Sequence, residues 1–362
     1  MNQPHDIPSI ARGFQIRGNF LSSGPYGNGH INDTYAVTCD QGGAPMRYIF
    51  QRINHRIFKD PVSLMENIQR VTSHLHGKIK DQTDSSRRAL TLIPSKDGQP
   101  YYRDESENYW RAYIFIEKAR TYDAIQSPRQ AFAAAKAFGQ FQKMLADLPA
   151  PRLHDTIPDF HNTPKRFIAL EKAIEADTVN RAQFAKPEIA FALRRKIMTR
   201  KLLEANLPER VTHNDTKLNN VMLDDVTGEG ICVIDLDTVM PGLTLYDFGD
   251  MVRTATCLTL EDERDLSKVE MQFSLFEALV RGYLDSASGF LTPAEKQFLA
   301  FSGKLITFEI GLRFLTDFLS GDTYFKVHRP NHNLDRCLTQ FKLVESIEEQ
   351  DERMNKLVES VK

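Results

Sequence analysis

Four polar residues near the middle of the chain have the types and spacing that phosphoryl transfer requires. Asp215 and Asn220 lie five positions apart in one short polar loop, and Asp235 and Asp237 follow the next apolar run. This chemistry needs a base at the attacking hydroxyl and metal charge on the phosphates, which one short rigid loop supplies from its two ends. We therefore predict that Asp215 is the catalytic base and that Asn220 and Asp235 bind Mg²⁺. Asp237, on the same face of a predicted strand as Asp235, either shares the metal or orients its ligands.

A second acidic motif, Asp247-Phe248-Gly249, competes for the metal-binding role because it spells the metal-binding triplet of protein kinases. It lies 27 residues after Asn220, whereas Asp235 lies 15 residues after it. A single strand–turn–strand connection fits the shorter interval. We therefore assign the metal to Asp235 and expect Asp247 to brace the catalytic loop by hydrogen bonds to its backbone.

A glycine-rich segment near the start of the chain predicts a cover over the phosphates of ATP. Gly24, Gly27 and Gly29 lie between two predicted strands. Glycine lets backbone amides approach phosphate oxygens closely. We therefore expect these three residues to contact the nucleotide.

Three further residues of the first third are predicted nucleotide contacts. Gln51 and Arg52 stand where the strand lysine of protein kinases would be. Arg52 can pair with phosphate oxygens, although strand alternation turns only one of the two side chains toward ATP. Phe115 and Glu117, at the end of a predicted strand, are expected to lie against the adenine.

Strands dominate the first third of the sequence and helices the rest, which predicts an α+β, two-lobed protein-kinase-like fold. Residues 1–118 are expected to form an antiparallel β-sheet lobe with one packed helix, which begins at Asp60 and Pro61. Residues 119–362 are expected to form a larger, mainly α-helical lobe. Three finer predictions are a hairpin of strands 90–93 and 100–103, a strand–loop–strand unit over 211–253 and one amphipathic helix over 343–362.

The composition argues against several classes of partner. The chain has 46 Lys and Arg against 48 Asp and Glu, so it lacks the basic excess of a nucleic-acid-binding protein. No apolar run approaches the roughly 18 residues of a membrane span, and the N-terminus lacks the pattern of a secretory signal. We expect a cytoplasmic monomer that binds no nucleic acid and no membrane.

These motifs together resemble those of the aminoglycoside phosphotransferase-like superfamily, and most closely its branch of bacterial N-acetylhexosamine 1-kinases. The matching segments cover nearly the whole chain and include residues 25–32, 210–220, 234–238, 247–250, 313–315, 321–322 and 324–325. The resemblance implies that ATP and N-acetylglucosamine or N-acetylgalactosamine give the sugar 1-phosphate and ADP. It also implies that His30, Arg313 and Tyr324 line the sugar pocket. Thr254 departs from an aromatic residue of the family, which would widen the pocket and leaves the sugar preference open.

Two alternative functions stay open from the sequence. The acceptor could be another small alcohol, such as choline, homoserine or another free sugar. Choline calls for an aromatic cage, whereas His30, Arg313 and Tyr324 suit a neutral polyol better. The second alternative is a non-catalytic, nucleotide-binding pseudokinase, which only the missing strand lysine supports.

Overall fold

The computed structural model describes residues 5–27 and 31–361 and has the mixed α+β architecture expected from the sequence. Its N-terminal part contains the strands β1 (Asn19–Pro25), β2 (Asp33–Gln41), β3 (Ala44–Arg52), β4 (Leu92–Ile93), β5 (Tyr102–Arg103) and β6 (Tyr109–Ile114). They form an antiparallel sheet in the order β1-β2-β3-β6-β4, and β5 also pairs with β6. An N-terminal antiparallel sheet is therefore confirmed.

The two faces of this sheet bury different side chains, because residues alternate along each strand. Tyr48 and Phe50 of β3 pack with Trp110 of β6 in a small core that helix α1 (Ile7–Ala11) joins. The opposite face turns Tyr113 toward the large core of the molecule. The side chains of β3 and β6 on the face away from the small core therefore point toward the rest of the protein.

Helix α2 (Pro61–Ile79) packs on that opposite face and begins where the sequence predicts. Asp60 caps it by accepting a hydrogen bond from the backbone N–H of Ser63 at 3.1 Å, and proline occupies the first helical position. Leu64, Ile68 and other apolar residues three and four apart bury one stripe of the helix. The predicted helix of the N-terminal part is therefore confirmed.

Helices form most of the remaining chain. They are α3 (Pro128–Leu145), α4 (Thr163–Ala176), α5 (Lys186–Arg194), α6 (Lys201–Glu204), α7 (Thr244–Ala255), α8 (Phe273–Ala287), α9 (Pro293–Gln297), α10 (Leu299–Leu319), α11 (His332–Glu349) and α12 (Asp351–Ser360). The backbones of α3 and α8 come close where both helices carry glycine, at Gly139 and Gly282. Within the described residues no helix is both long and apolar enough to cross a bilayer.

The polar residues singled out above lie in the segments that join four short strands between α6 and α7. These strands are β8 (Arg210–Thr212), β9 (Val221–Asp224), β10 (Gly230–Val233) and β11 (Met240–Gly242), and β7 (Ala119–Arg120) pairs with β9. β8 pairs with β11, and β9 pairs with β10. The two pairings bring the loop after β8 next to the segment after β10. The proposed division at residues 118 and 119 stays a prediction.

Four details of the sequence prediction are wrong. The strands predicted at 90–93 and 100–103 do not form a hairpin with each other, because both pair with β6. The end of the segment 211–253 is helix α7 rather than strand. Asp235 does not share a strand face with Asp237, because β10 ends before it and Asp235 has a left-handed φ of 58°. The final predicted helix is two helices, α11 and α12, which meet at Gln350.

Candidate active site

The loop after β8 presents Asp215 between an amide and an ammonium group. Asn220 Nδ2 donates hydrogen bonds to the backbone carbonyl of Asp215 at 2.7 Å and to its Oδ2 at 3.2 Å. Lys217 Nζ lies 3.1 Å from Oδ1 of the same carboxylate. The structure thus brings the predicted base and the predicted metal-binding amide into direct contact. Within the described residues, Asn220 Oδ1 accepts no hydrogen bond and remains free for a cation.

Asp247 braces this loop from within the C-terminal part. Its carboxylate accepts the backbone N–H of His213 at 2.9 Å and that of Asn214 at 2.7 Å. Gln142 of α3 donates a third hydrogen bond to it at 2.6 Å. Burial raises the pKa of Asp247, and the hydrogen bonds from His213 N–H, Asn214 N–H and Gln142 oppose this rise. The predicted brace is confirmed, and it lies under two consecutive residues that precede the base.

His213 adds a second tie between the loop and the strand that precedes Asp235. Its Nε2 lies 2.8 Å from the backbone carbonyl of Ile234, and its Nδ1 lies 3.3 Å from the backbone N–H of Asp215. A neutral ring with the proton on Nε2 satisfies both contacts, since Nε2 then donates and Nδ1 accepts. Phe138 and Phe141 pack edge-on against the ring.

Asp235 is the one acidic residue of this segment whose carboxylate is open. It is exposed, and among the described residues it accepts no hydrogen bond and forms no ion pair. Partial desolvation, followed by the negative charges of Asp237 and Asp215, raises its pKa to about 6. A carboxylate crowded by like charges and free of donors is suited to a cation.

Asp237 has the opposite environment, because both of its oxygens are already engaged. Arg111 Nη1 pairs with Oδ1, and Asn32 Nδ2 donates to Oδ2 at 2.6 Å. Asp237 and Arg111 are both buried. The structure therefore brings Asp237 next to Asp235 but surrounds it with protein donors, and its metal-binding role stays a prediction.

The oxygen ligands present fit Mg²⁺ bound together with a nucleotide. Among the described residues no three His, Cys, Asp or Glu side chains are grouped to hold a metal by themselves. Mg²⁺ at phosphates commonly uses only one or two carboxylates and takes the remaining ligands from phosphate and water. Asp235 and Asn220 supply two open oxygen ligands. The hydroxyl of Tyr113 is buried nearby without a hydrogen-bond partner among the described residues, as expected where a ligand completes the site.

Two of the three predicted loop glycines lie within the described residues. Gly24 lies in β1 in register with Ala36, and Gly27 has a φ of 75°, which favours glycine. A side chain at either position would meet no atom within 4 Å, so the space beside the loop is open. Gly29 and His30 lie outside the described residues, and their roles stay predictions.

Phe115 and Glu117 lie beside this loop. The ring of Tyr26 packs edge-on against Phe115 with centroids 5.5 Å apart. The guanidinium of Arg47 lies 3.8 Å from the centroid of the Phe115 ring and donates to Glu117 at 2.8 Å. That hydrogen bond lowers the pKa of Glu117. The structure thus brings the predicted adenine contacts together with the glycine-rich segment.

Arg52 is not brought to the catalytic loop. It lies on the same face of β3 as Phe50 and pairs with Trp110 across the sheet, whereas Gln51 lies on the opposite face and accepts a hydrogen bond from Arg111 at 2.9 Å. Arg52 Nε instead donates to Asp33 at 2.7 Å. Its contact with phosphate stays a prediction, and the cation that the structure places toward Asp237 is Arg111.

Arg313 and Tyr324 lie together in an aromatic group. The guanidinium of Arg313 lies 5.5 to 5.7 Å from the ring centroids of Phe160, Tyr324 and Phe325. Its one hydrogen bond to the described residues is a long contact of 3.5 Å with the Tyr324 hydroxyl. Most of its five N–H donors therefore face solvent or a ligand.

A buried carboxylate shapes the loop that presents Tyr324. Asp317 accepts the backbone N–H groups of Thr323 and Tyr324 at 2.8 Å each and that of Phe325 at 2.9 Å. Asn333 of α11 donates to the same carboxylate at 2.8 Å. Four donors on one buried carboxylate hold the exposed Tyr324 ring in place.

The catalytic loop and α10, which contains Arg313, are connected through His161, which lies just before α4. His161 Nδ1 lies 2.8 Å from Glu309, which precedes Arg313 by one helical turn, and His161 Nε2 lies 3.4 Å from the carbonyl of Asn214. Arg166 lies close enough that burial and the charge of Arg313 lower its pKa. The carboxylates of Glu309 and Asp159 act on the pKa of Arg166 in the opposite direction, so the surroundings of Arg313 hold charges of both signs.

Thr254 lies on α7, one turn after Asp250. Its hydroxyl donates to the backbone carbonyl of Asp250 at 2.8 Å. The carboxylate of Asp250 in turn accepts the backbone N–H of Thr216 at 2.9 Å, so α7 contacts the catalytic loop directly. Contact of Thr254 with a sugar stays a prediction.

Sequence reasoning missed two cations, Lys217 and Arg111. Lys217 stands two positions after the base, so its place in the loop was a usable signal. Arg111 stands alone between aromatic residues of a strand whose neighbours are fully buried, and a lone charge there needs a buried partner. The sequence of one strand does not show which carboxylate is that partner.

The fold and sequence of the chain match known phosphotransferases. Residues 24–283, more than half of the chain, match the phosphotransferase enzyme family. An aminoglycoside phosphotransferase from Alicyclobacillus acidocaldarius has 14% identity over 99% of this chain and 98% of its own, with a TM-score of 0.66. A microcompartment-associated aminopropanol kinase has 16% identity over 96% and 98%, with a TM-score of 0.58. Choline kinase from Cryptosporidium parvum has 16% identity over 96% of both chains, with a TM-score of 0.56.

Proposed function

Because the chain belongs to the phosphotransferase enzyme family, we propose that it transfers the γ-phosphoryl group of ATP to the anomeric hydroxyl of an N-acetylhexosamine. The products are the sugar 1-phosphate and ADP. The kinase-like fold and family membership support phosphoryl transfer to a small molecule. The sugar acceptor rests on the motif resemblance and on the groups around Arg313.

The observation that carries the proposal is the contact between Asp215, Asn220 and Lys217 beside the open carboxylate of Asp235. Asp215 is held 3.2 Å from the amide of Asn220 and 3.1 Å from the ammonium of Lys217. A single cleft thus offers a base, two oxygen ligands for a cation and one positive charge. Phosphoryl transfer by positioning and electrostatics requires this set of groups.

The proposed reaction is one direct displacement. The anomeric oxygen forms a bond to the γ-phosphorus while the bond from that phosphorus to the β,γ-bridging oxygen breaks, and ADP leaves with the electron pair. The hydroxyl proton goes to the carboxylate of Asp215. Lys217 offsets the negative charge that spreads over the transferring group.

Asn220 and Asp235 are the residues proposed to hold Mg²⁺, which supplies positive charge at the β- and γ-phosphates when bound. The brace from Asp247 and the tie from His213 keep these side chains in one arrangement before substrate binds. Pre-organisation of this kind removes the cost of rearranging the loop during the reaction.

The unused donors of Arg313 favour a neutral sugar over a cationic alcohol as the acceptor. Most N–H donors of Arg313 are unused among the described residues, and Arg166 lies within its electrostatic range. Two guanidinium groups repel a quaternary or primary ammonium, whereas hydroxyl and amide oxygens accept their hydrogen bonds. Choline and amino alcohols are therefore the weaker candidates, although they are acceptors of relatives with this fold.

The experiment is an acceptor panel assayed with ATP and Mg²⁺ by ADP release. It contains N-acetylglucosamine, N-acetylgalactosamine, glucosamine, galactosamine, N-acetylmannosamine, choline, homoserine and 1-amino-2-propanol. We expect turnover with the N-acetylhexosamines and phosphorus–carbon coupling to C1 of the product. A product phosphorylated elsewhere, or a preference for an amino alcohol, would contradict the proposed acceptor.

The matched variant is Asp215→Asn, which keeps the shape of the side chain but cannot take a proton. We expect turnover to fall about 10²- to 10⁴-fold, as for loss of a general base, with ADP binding little changed. Near-normal turnover of Asp215→Asn would remove Asp215 from the role of base. Absence of turnover by the wild-type protein with every acceptor, alongside normal ADP binding, would favour the pseudokinase alternative.

A further inference from the structure

The buried carboxylate of Asp237 connects three separate parts of the chain. It belongs to the short 3₁₀ helix Leu236–Thr238, directly after Asp235. Its Oδ1 pairs with Arg111 of β6, in the N-terminal sheet. Its Oδ2 accepts from Asn32, which lies between the glycine-rich segment and β2. One side chain of the segment that follows Asp235 thus contacts both the sheet and the residue that precedes β2.

Arg111 has no alternative partner of equal quality among the described residues. It is fully buried, and its Nε donates to Gln51 Oε1 at 2.9 Å. Its guanidinium lies 5.6 Å from the ring centroid of Tyr113, but a neutral amide and a ring do not neutralise a buried charge. The pairing with Asp237 is therefore what allows a cation to be buried in the middle of the sheet.

Asn32 is held at both ends of its amide group. Its Oδ1 accepts the backbone N–H of Asn54 at 3.0 Å, while its Nδ2 donates to Asp237. Asn54 Nδ2 in turn donates to the carbonyl of Ile31 at 3.1 Å. The chain directly before β2 is thus fixed to Asn54, which follows β3, and to Asp237 at the same time.

We propose that Asp237, Arg111 and Asn32 form an anchor that ties the start of β2 and the N-terminal sheet to the Mg²⁺-binding residue Asp235, so that Asp237 acts as a positioning residue for nucleotide binding. This inference rests on the proposed use of ATP. Asp235, whose carboxylate accepts no hydrogen bond from the described residues, binds the cation. Asp237, whose two carboxylate oxygens already contact protein donors, is not required to bind the cation.

The anchor predicts that all three residues act on nucleotide binding together. The variants are Asn32→Ala, Arg111→Lys and Asp237→Asn, and the probe is ADP binding by titration calorimetry with Mg²⁺ and with EDTA. Each variant is expected to weaken binding of ADP with Mg²⁺ about tenfold, the worth of one hydrogen bond to a charged group. The double variant Asn32→Ala/Asp237→Asn is expected to lose less binding free energy for ADP than the sum of the two single losses, because both substitutions break the same hydrogen bond.

The magnesium dependence separates an anchor from a metal ligand. With an anchor, the ratio of ADP affinities with and without Mg²⁺ stays within about threefold of the wild-type ratio in all three variants. In the positive control, Asp235→Asn, Mg²⁺ is expected to increase the affinity for ADP much less than in the wild type. The matched negative control, Arg195→Lys, alters a partly buried ion pair with Glu348 between α5 and α11 and is expected to leave ADP binding unchanged.

Two results would overturn the anchor. If Asp237→Asn alone removes the gain from Mg²⁺ while Asn32→Ala and Arg111→Lys bind ADP normally, Asp237 is a metal ligand. If all three variants lower the melting temperature but bind ADP within about twofold of wild type, the contact is only structural. Asn32 is partly exposed, so its variant is expected to fold even if Arg111→Lys does not. ADP binding needs no acceptor, so failure of the proposed sugar specificity leaves this test intact.

Discussion

Substitution of Asp247 by asparagine tests whether the brace beneath the catalytic loop matters for turnover as well as for stability. The carboxylate accepts three hydrogen bonds, from the backbone N–H groups of His213 and Asn214 and from the side chain of Gln142. Asparagine has the same shape but only one acceptor oxygen. Whichever way its amide turns, at least one of the two backbone N–H groups faces an NH₂ group instead of an acceptor.

The magnitude follows from this count. Gln142 can turn its own amide to suit an NH₂ group, whereas a backbone N–H cannot change its role. One buried N–H donor is left unpaired, and the remaining hydrogen bond no longer involves a charged acceptor. Together these changes lower the free energy of unfolding by about 2–4 kcal/mol. A typical domain is stable by about 5–15 kcal/mol, so Asp247→Asn is expected to fold. The unpaired donor pushes the backbone beside Asp215, and we expect kcat to fall roughly 10²-fold from the displaced base.

The assay combines urea unfolding with ADP release, and Asp104→Asn is the matched control. Asp104 likewise accepts a backbone N–H, from Asn108 at 2.8 Å, and the indole N–H of Trp110 at 2.8 Å. It lies in the N-terminal sheet region, and its hydrogen-bond partners Asn108 and Trp110 are far along the chain from the catalytic loop. We expect both variants to lose stability but only Asp247→Asn to lose kcat.

The result that would refute this reasoning is normal kcat in Asp247→Asn. A variant that loses about 2–4 kcal/mol yet turns over within about twofold of wild type would show that the loop keeps its geometry without the brace. A loss of stability below about 1 kcal/mol would show that the loop relaxes to repair its hydrogen bonds. An equal loss of kcat in Asp104→Asn would point to a general effect of reduced stability.

Three further predictions concern other parts of the molecule. Gly282→Ala is expected to cost about 1–3 kcal/mol in urea unfolding, because its Cβ would lie 2.2 Å from a backbone carbonyl oxygen of α3, whereas Gly289→Ala, with open space around it, is expected to cost less than about 1 kcal/mol. Hydrogen bonds from two backbone N–H groups and an arginine hold the pKa of Asp224 well below its usual range, so Asp224→Asn should lower the melting temperature at pH 7. That difference should shrink as the pH falls below about 4, since a lowered carboxyl pKa stabilises the fold only while the group is ionised. Lys217→Met is expected to lower kcat about 10²- to 10³-fold with ADP affinity nearly unchanged, and a change below about threefold would exclude a role on the transferring phosphoryl group.

The parts of the fold that local rules decide were predictable. Asp60 and Pro61 are a cap and a first-turn residue, so the start of α2 could be read directly. The strand partners were not predictable in the same way. The stretches near 90–93 and 100–103 look like a hairpin because turn residues separate them, yet β6 offers both a longer partner. Pairing depends on which edges are free in space, and one sequence does not contain that information.

The same limit applies to the candidate site. Spacing along the loop predicted that Asp215 and Asn220 would be neighbours, because five residues of one turn cannot separate far. It could not separate Asp235 from Asp237, since the strand alternation assumed for them is broken by the left-handed backbone of Asp235. It also placed the cation of the sheet at Arg52, whereas alternation around β3 turns that side chain away and leaves Arg111 of β6 to face Asp237.

The number of protein donors on each aspartate separates the roles better than position in the motif does. Asp247 and Asp237 have every oxygen engaged, so a cation there would have to displace existing hydrogen bonds. Asp215 keeps part of its carboxylate exposed beside Lys217, as a proton acceptor must. Asp235 accepts the fewest hydrogen bonds and is the most affected by other negative charges. A bound cation would therefore stabilise the ionised form of Asp235 more than that of the other aspartates. A carboxylate that the protein leaves without donors is therefore the feature to look for in relatives whose motif contains more acidic residues than the reaction uses.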